Sequence, residues 1–201
     1  MKKNRNLKPA ANTSIESPHV DLDIGIESGA RKRVIVQLNQ ELANAYVALV
    51  KTKKAHWDVV GPQFRSLHLM LDEQYVVLAG AVDEYAERVR MLGGYSIATM
   101  HEFVALSELT ESSSLLANAT EAVTTLVRDQ ETLSRSVRRS IAVCTDSGDV
   151  GTADLFTRIL QQHEKMAWML RSFLQGEAVQ PTLLQPSQRV STNGTRHDAR
   201  N

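Results

Sequence analysis

Apolar residues recur at three- and four-residue steps through four long stretches of the chain, and each stretch predicts an amphipathic helix. In residues 31–60 the stripe runs through Val34, Leu38, Leu42, Ala45 and Leu49, with His56 continuing it. Residues 63–92 carry Leu67, Leu71, Leu78, Tyr85, Val89 and Leu92, and Gly93 and Gly94 then supply a helix stop. Val123, Leu126, Val127, Leu133, Val137 and Ile141 mark a third helix over 118–144. Leu155, Ile159, Met166, Met169, Leu170 and Phe173 mark a fourth over 152–174, where the methionines read as core packing. Gly61 and Pro62 punctuate the first pair, and the polar, glycine-containing residues 145–151 punctuate the second. Residues 95–117 have to run the length of a bundle, and HEFVALSEL within them predicts a short extra helix. The expected fold is all-α: a four-helix bundle over 29–175, with a short helix in the connection between its second and third helices. Residues 1–28 and 176–201 lack sustained periodicity, contain recurrent Pro, Asn and Ser, and read as tails.

A length of 201 residues with 42% hydrophobic content suits one domain with a sizeable core. Formal net charge is zero, so the body as a whole is not a polyanion-binding surface. Local charge changes that picture only at the start, where Lys2, Lys3, Arg5 and Lys8 stand among eleven residues with no acidic one. The single cysteine, Cys144, has no partner for a disulfide or a thiolate metal site and reads as a packed helix residue. No apolar run approaches the roughly 20 residues of a membrane span, and no apolar core follows the basic start. The expected location is therefore the cytoplasm.

The candidate chemistry lies between the first two helices. His56 precedes the Pro62 turn by six residues and His68 follows it by six, so an antiparallel hairpin brings both imidazoles to the same height. His68 and Asp72 are four residues apart, as are Asp83 and Glu87, and each pair shares a helix face. Asp72 and Asp83 lie roughly 16 Å apart along one helix, too far for a common metal with ligand bonds of about 2 Å. Yet His68 with Glu87, and Asp72 with Asp83, share one midpoint, between Val77 and Leu78. A second copy crossing antiparallel there would bring His68 and Asp72 of one chain to Asp83 and Glu87 of the other. Ala79, Gly80 and Ala81 are small enough to let two such helices approach. The expected centre is two identical sites shared by a dimer, with ligands His56, His68, Asp72, Asp83 and Glu87. Imidazoles and carboxylates without thiolates suit a divalent first-row metal such as iron, manganese or zinc. His19, Asp21 and Asp23 form an alternating H-x-D-x-D, a weaker candidate for a peripheral metal.

The run HWDVVGPQF, the following His68, Met70, Leu71 and Asp72, and the later AVDEYAERVRMLGG resemble the Dps family of mini-ferritins, the DNA-binding proteins from starved cells. Weaker similarity extends the resemblance over about 29–174. It implies a ferritin-like bundle in which His56, His68, Asp72, Asp83 and Glu87 form a ferroxidase centre at a two-fold interface. It also implies a hollow homododecamer that oxidises Fe(II), preferentially with hydrogen peroxide, and stores ferric mineral, with zinc competing for the same ligands. On that reading the basic arms, multiplied over the shell, would contact DNA phosphates non-specifically and place the protein on the nucleoid. The alternative is a nucleoid-compacting protein with little ferroxidase activity. Glu121, Asp129 and Glu131 are candidates to line an iron-entry pore. Trp57 reads as a core or interface aromatic, or as an oxidisable residue beside the centre.

Overall fold

The computed structural model describes residues 22–111 and 118–175, and every regular element among them is a helix. In chain order these are α1 (Ser28–Asp58), α2 (Phe64–Met91), α3 (Met100–Leu106), α4 (Ala119–Asp146) and α5 (Val150–Gln175). The ends are set by local chemistry. Asn118 caps α4 by accepting from the Glu121 amide at 2.8 Å, and Asp149 caps α5 by accepting from the Thr152 amide at 2.9 Å. Thr99 and Glu102 form a reciprocal capping box at the start of α3. At the end of α2 the chain turns through Gly93 at φ 83°, and a Cβ on the next residue, Gly94, would come within 2.8 Å of the buried Ile35 side chain.

Cross-helix contacts fix the topology. Short turns make α1/α2 and α4/α5 antiparallel hairpins. Arg88 near the end of α2 reaches Asp149 at the end of the α4–α5 turn, at 2.8 Å, so α2 and α4 run parallel. The connection from Leu92 to Asn118 must therefore return along the bundle, and α3 within it stacks Phe103 on Tyr46 of α1 with ring centroids 4.2 Å apart. Three apolar clusters fill the interior along its length. At one end Leu38, Leu42, Tyr85, Val89, Val137 and Phe156 pack together; Leu78, Leu133 and Met166 hold the middle; Leu67, Leu71, Val123 and Leu170 close the hairpin end. The whole predicted α2 stripe is buried, and Cys144 is fully buried, its thiol pushed up to about 12 chiefly by desolvation. No described helix is long and apolar enough to cross a membrane.

Candidate metal centre

The α1–α2 turn builds the centre. Val59 caps α1, Gly61 turns the chain at φ 111°, and α2 starts at Phe64, whose amide bonds to the Gly61 carbonyl. This short hairpin lays His56 against His68. Their rings stack with centroids 3.8 Å apart and planes 25° from parallel, and Phe64 flanks His68 at 4.9 Å. Each histidine bonds to the backbone of the other: His56 Nδ1 lies 3.1 Å from the His68 carbonyl, and His68 Nδ1 lies 3.0 Å from the His56 carbonyl. A carbonyl only accepts, so both Nδ1 atoms carry a proton, and in the neutral ring it is Nε2 that has the lone pair. That is the tautomer a metal-ligating imidazole needs, fixed by the backbone that delivers it.

Asp72 joins the two imidazoles, its Oδ1 3.9 Å from His56 Nε2. Lys53 also reaches this carboxylate, with Nζ 3.3 Å from Oδ1 and 4.1 Å above the Tyr75 ring. The ammonium is thus the cation that neutralises Asp72 here, and its position three residues before His56 carried no signal in the metal-ligand spacing.

Asp83 and Glu87 are not brought to this cluster. They stand exposed farther along α2, and no group of three or more His, Cys, Asp or Glu able to hold a metal occurs among the described residues. One subunit therefore brings His56, His68 and Asp72 near one another at one end of α2 and leaves Asp83 and Glu87 at the other, and neither set is a metal-holding cluster by itself. Between them runs an exposed stripe: Leu69, Asp72, Val76, Gly80, Asp83 and Glu87 recur at three- and four-residue steps, opposite the core stripe. Leu69 is 49% and Val76 62% exposed, an apolar strip with small Gly80 near the shared midpoint.

Three other candidates resolve differently. Asp129 is buried against Lys51 at 2.7 Å, its pKa raised by desolvation despite the bond from Lys51, and Glu131 pairs with Arg171 at 2.8 Å. Neither carboxylate is a free pore lining in this subunit; both are used to tie helices together. Trp57 is not a core aromatic, being 67% exposed beside His56, which leaves an interface role or an oxidisable one. His19, Asp21 and the basic residues Lys2, Lys3, Arg5 and Lys8 lie outside the described residues, as does 176–201.

Comparison with known proteins places this geometry in context. A family model described as a ferritin-like domain matches residues 35–178. An uncharacterised low temperature-induced protein of Nostoc sp. is 46% identical over 172 residues, covering 85% of this chain and 96% of that protein. A protein named DNA protection during starvation protein 2, from Bacillus anthracis, is 36% identical over 143 residues, covering 71% and 97% respectively. Among solved structures, Dps from Thermosynechococcus elongatus aligns with a TM-score of 0.72 at 34% identity, over 78% of this chain and 98% of that one.

Proposed function

The chain belongs to the Dps family of ferritin-like proteins, and from that premise we propose that it is a ferroxidase whose iron centres form only between two subunits. The observation that carries the proposal is the division of α2 into two incomplete half-sites about one midpoint. His56, His68 and Asp72 of one subunit offer two imidazole lone pairs and a carboxylate; Asp83 and Glu87 of a second copy complete the donor set. Iron(II) is the substrate. Neutral imidazoles hold it without adding charge, and hard carboxylate oxygens accommodate both iron valences. With hydrogen peroxide as oxidant, two Fe(II) ions each give one electron, the O–O bond breaks, and both oxygens leave as hydroxide or water. No hydroxyl radical is released, which protects nearby DNA.

In this reading the chain's own residues do three things. The reciprocal His56–His68 backbone bonds keep the Nδ1 proton in place, so that in each neutral ring Nε2 is the nitrogen that faces iron. Lys53 neutralises Asp72 until iron arrives and then yields it. The exposed apolar residues of α2, buried against the second copy, exclude water from the pocket. Twelve subunits enclosing the ferric product is the assembly that follows from the family, with DNA contact through the basic N-terminal arm.

The test is stopped-flow oxidation of Fe(II) by peroxide and, separately, by oxygen, on protein of measured assembly size. Replacing His68 and Asp72 together with Ala should abolish peroxide-dependent oxidation while sedimentation still shows the parental assembly. Unchanged kinetics in that variant would remove the site assignment.

A further inference from the structure

Away from the metal centre, a second set of carboxylates meets inside the bundle. Glu41 of α1 is 1% exposed, and no Lys or Arg among the described residues contacts it. Its Oε1 lies 2.7 Å from Ser136 Oγ and 2.8 Å from Ser140 Oγ, both on α4, and its Oε2 accepts from Asn44 Nδ2 at 3.0 Å. Ser136 Oγ also lies 2.8 Å from Oε1 of Glu108, in the connection just after α3, and 3.3 Å from Asn44 Nδ2. Arg139 binds both Glu108 oxygens, at 2.6 and 2.8 Å.

These distances pose a problem of proton count. Ser136 has one hydroxyl hydrogen, yet its oxygen sits at hydrogen-bond distance from two carboxyl oxygens. That hydrogen serves one of them, and the other contact requires a proton of its own. Every group is satisfied if Glu41 is a carboxylic acid: Glu41 donates to Ser136 Oγ, Ser136 donates to Glu108 Oε1, and Asn44 divides its two amide hydrogens between Glu41 Oε2 and Ser136 Oγ. Ser140 then donates to Glu41 Oε1 or to Gln37 Oε1, which is 3.3 Å away. With both carboxylates ionised, one contact under 3 Å would hold lone pair against lone pair.

We infer that Glu41 and Glu108 hold a single proton between them through Ser136, and that this carboxylic acid latches the α3 connection to the bundle. The latch is on the connection because Asn44, which holds Glu41, also accepts from the Glu108 amide at 2.8 Å and from the Ser107 hydroxyl at 3.3 Å. The surroundings decide which glutamate is the acid. Burial raises the Glu41 pKa against the bonds from Ser136, Asn44 and Ser140, and nearby Glu108 raises it further. Burial also raises Glu108, but the bonds from Arg139 and Ser136, with the charges of Arg139 and Arg135, outweigh it and leave Glu108 lowered. The other groups facing this place are Tyr85 from α2, itself raised by burial and by Glu41, and Arg158 from α5, which is engaged with Glu84. None supplies Glu41 with a cation. Once pH rises through the Glu41 pKa, Ser136 stands between two anions and the latch loosens.

The test is infrared spectroscopy of the full-length assembled protein labelled with carboxyl-13C glutamate. A label-shifted carboxylic-acid C=O band at pH 7, absent from Glu41→Gln, is the expected result. A band that survives Glu41→Gln, or no such band in the parent, overturns the inference. The parent spectrum alone can still refute the inference, by lacking the band, even if a variant fails to assemble. Hydrogen exchange supplies the second arm: the Glu108 amide should exchange faster at high pH than intrinsic chemistry predicts, and Glu41→Gln should remove the excess. Exchange that follows intrinsic chemistry in both proteins refutes the latch.

Discussion

Gly80 separates the stability of the subunit from that of the proposed two-fold contact. It lies in the middle of α2, exposed, and a Cβ built on it meets nothing within 4 Å in its own subunit. Gly costs about 1 kcal/mol relative to Ala in a helix interior, so substitution by Ala or Leu should make the isolated helix more stable. At the proposed crossing the sign reverses. Gly80 is between two and three residues from the midpoint, or about 4 Å along the axis at 1.5 Å per residue, so the two copies of Gly80 stand about 8 Å apart along α2. Helices packing at 8–10 Å leave little room for an added isobutyl group, and overpacking costs about 1–3 kcal/mol per site. Both copies are affected, so Gly80→Leu should weaken the dimer by about 2–6 kcal/mol, or from about 30-fold to about 20,000-fold in dissociation constant. Analytical ultracentrifugation over a concentration series measures that constant, circular dichroism reports the subunit, and stopped-flow iron oxidation reports the centre. The expected pattern is unchanged helicity with dissociation and loss of oxidation that return together as concentration rises. A Gly80→Leu protein that stays assembled and oxidises iron normally would show that the second helices do not cross here.

Other consequences are more local. Lys53→Met removes the ammonium that competes for Asp72, and because that pair is partly exposed the gain should be modest, about 0.2–1 kcal/mol, or at most about fivefold tighter Zn(II) binding by calorimetry. Weaker binding in Lys53→Met would mean that the lysine supports the site instead. His163, fully buried with Nδ1 2.7 Å from Gln130 Oε1, has its pKa lowered from 6.5 to about 4 by desolvation. The unfolded chain therefore takes up this proton first: the stabilising contribution is complete above pH 6.5 and is lost as pH falls toward 4, about 3 kcal/mol in all. Chemical denaturation against pH should show that slope and His163→Gln should flatten it, whereas Glu41, with its raised pKa, has the opposite slope and needs Glu41→Gln to subtract it. Gly94→Ala should cost about 1–3 kcal/mol, since Ile35 is buried and cannot give way, and should lower the thermal midpoint without touching iron kinetics.

Much of this architecture was legible because helical burial and helical ligation both follow the same period. The stripe of Leu67, Leu71, Leu78, Tyr85, Val89 and Leu92 named the core face of α2, and every one of those residues is buried. The pairing of His56 with His68 followed from their equal distance to the turn, and the structure stacks them. The reciprocal backbone bonds were not legible, since they depend on ring orientation in a close hairpin and on no residue type. Lys53 is not legible from ligand spacing, because a cation that competes for Asp72 is not itself a ligand. Composition marks Asp129 and Glu131 as acids but does not show the Lys51 or Arg171 that answers each from another helix. Glu41 gave no warning either: its stripe position looks like a lapse in amphipathicity until Ser136 and Ser140, about a hundred residues later, arrive opposite it.

On the proposed function, the two faces of α2 explain why the centre would be divided between subunits. A helix in a four-helix bundle spends one face on its own core, and here that face is continuous from Leu67 to Leu92, interrupted only by Gln74 among its buried positions. Ligands placed on that face would put carboxylates into the apolar interior, where each charge needs a partner or a proton; Glu41 illustrates the second outcome. Ligands placed on the opposite face stay solvated in the single subunit, so Asp83 and Glu87 carry no desolvation cost until a second copy covers them. By then a metal is available as their counter-charge, provided the imidazoles across the interface have already been set with their lone pairs outward. In the proposed reading iron binding and subunit association are linked through the same two imidazoles and three carboxylates: each should strengthen the other, and, with two sites per dimer, saturating iron should lower the dissociation constant of the dimer by the square of the factor by which dimerisation raises the affinity of one site. Sedimentation of Gly80→Ala with and without Zn(II), compared with Zn(II) titrations above and below its dissociation concentration, measures both sides of that equality. A dissociation constant that Zn(II) leaves unchanged would mean that metal binds somewhere other than the shared interface.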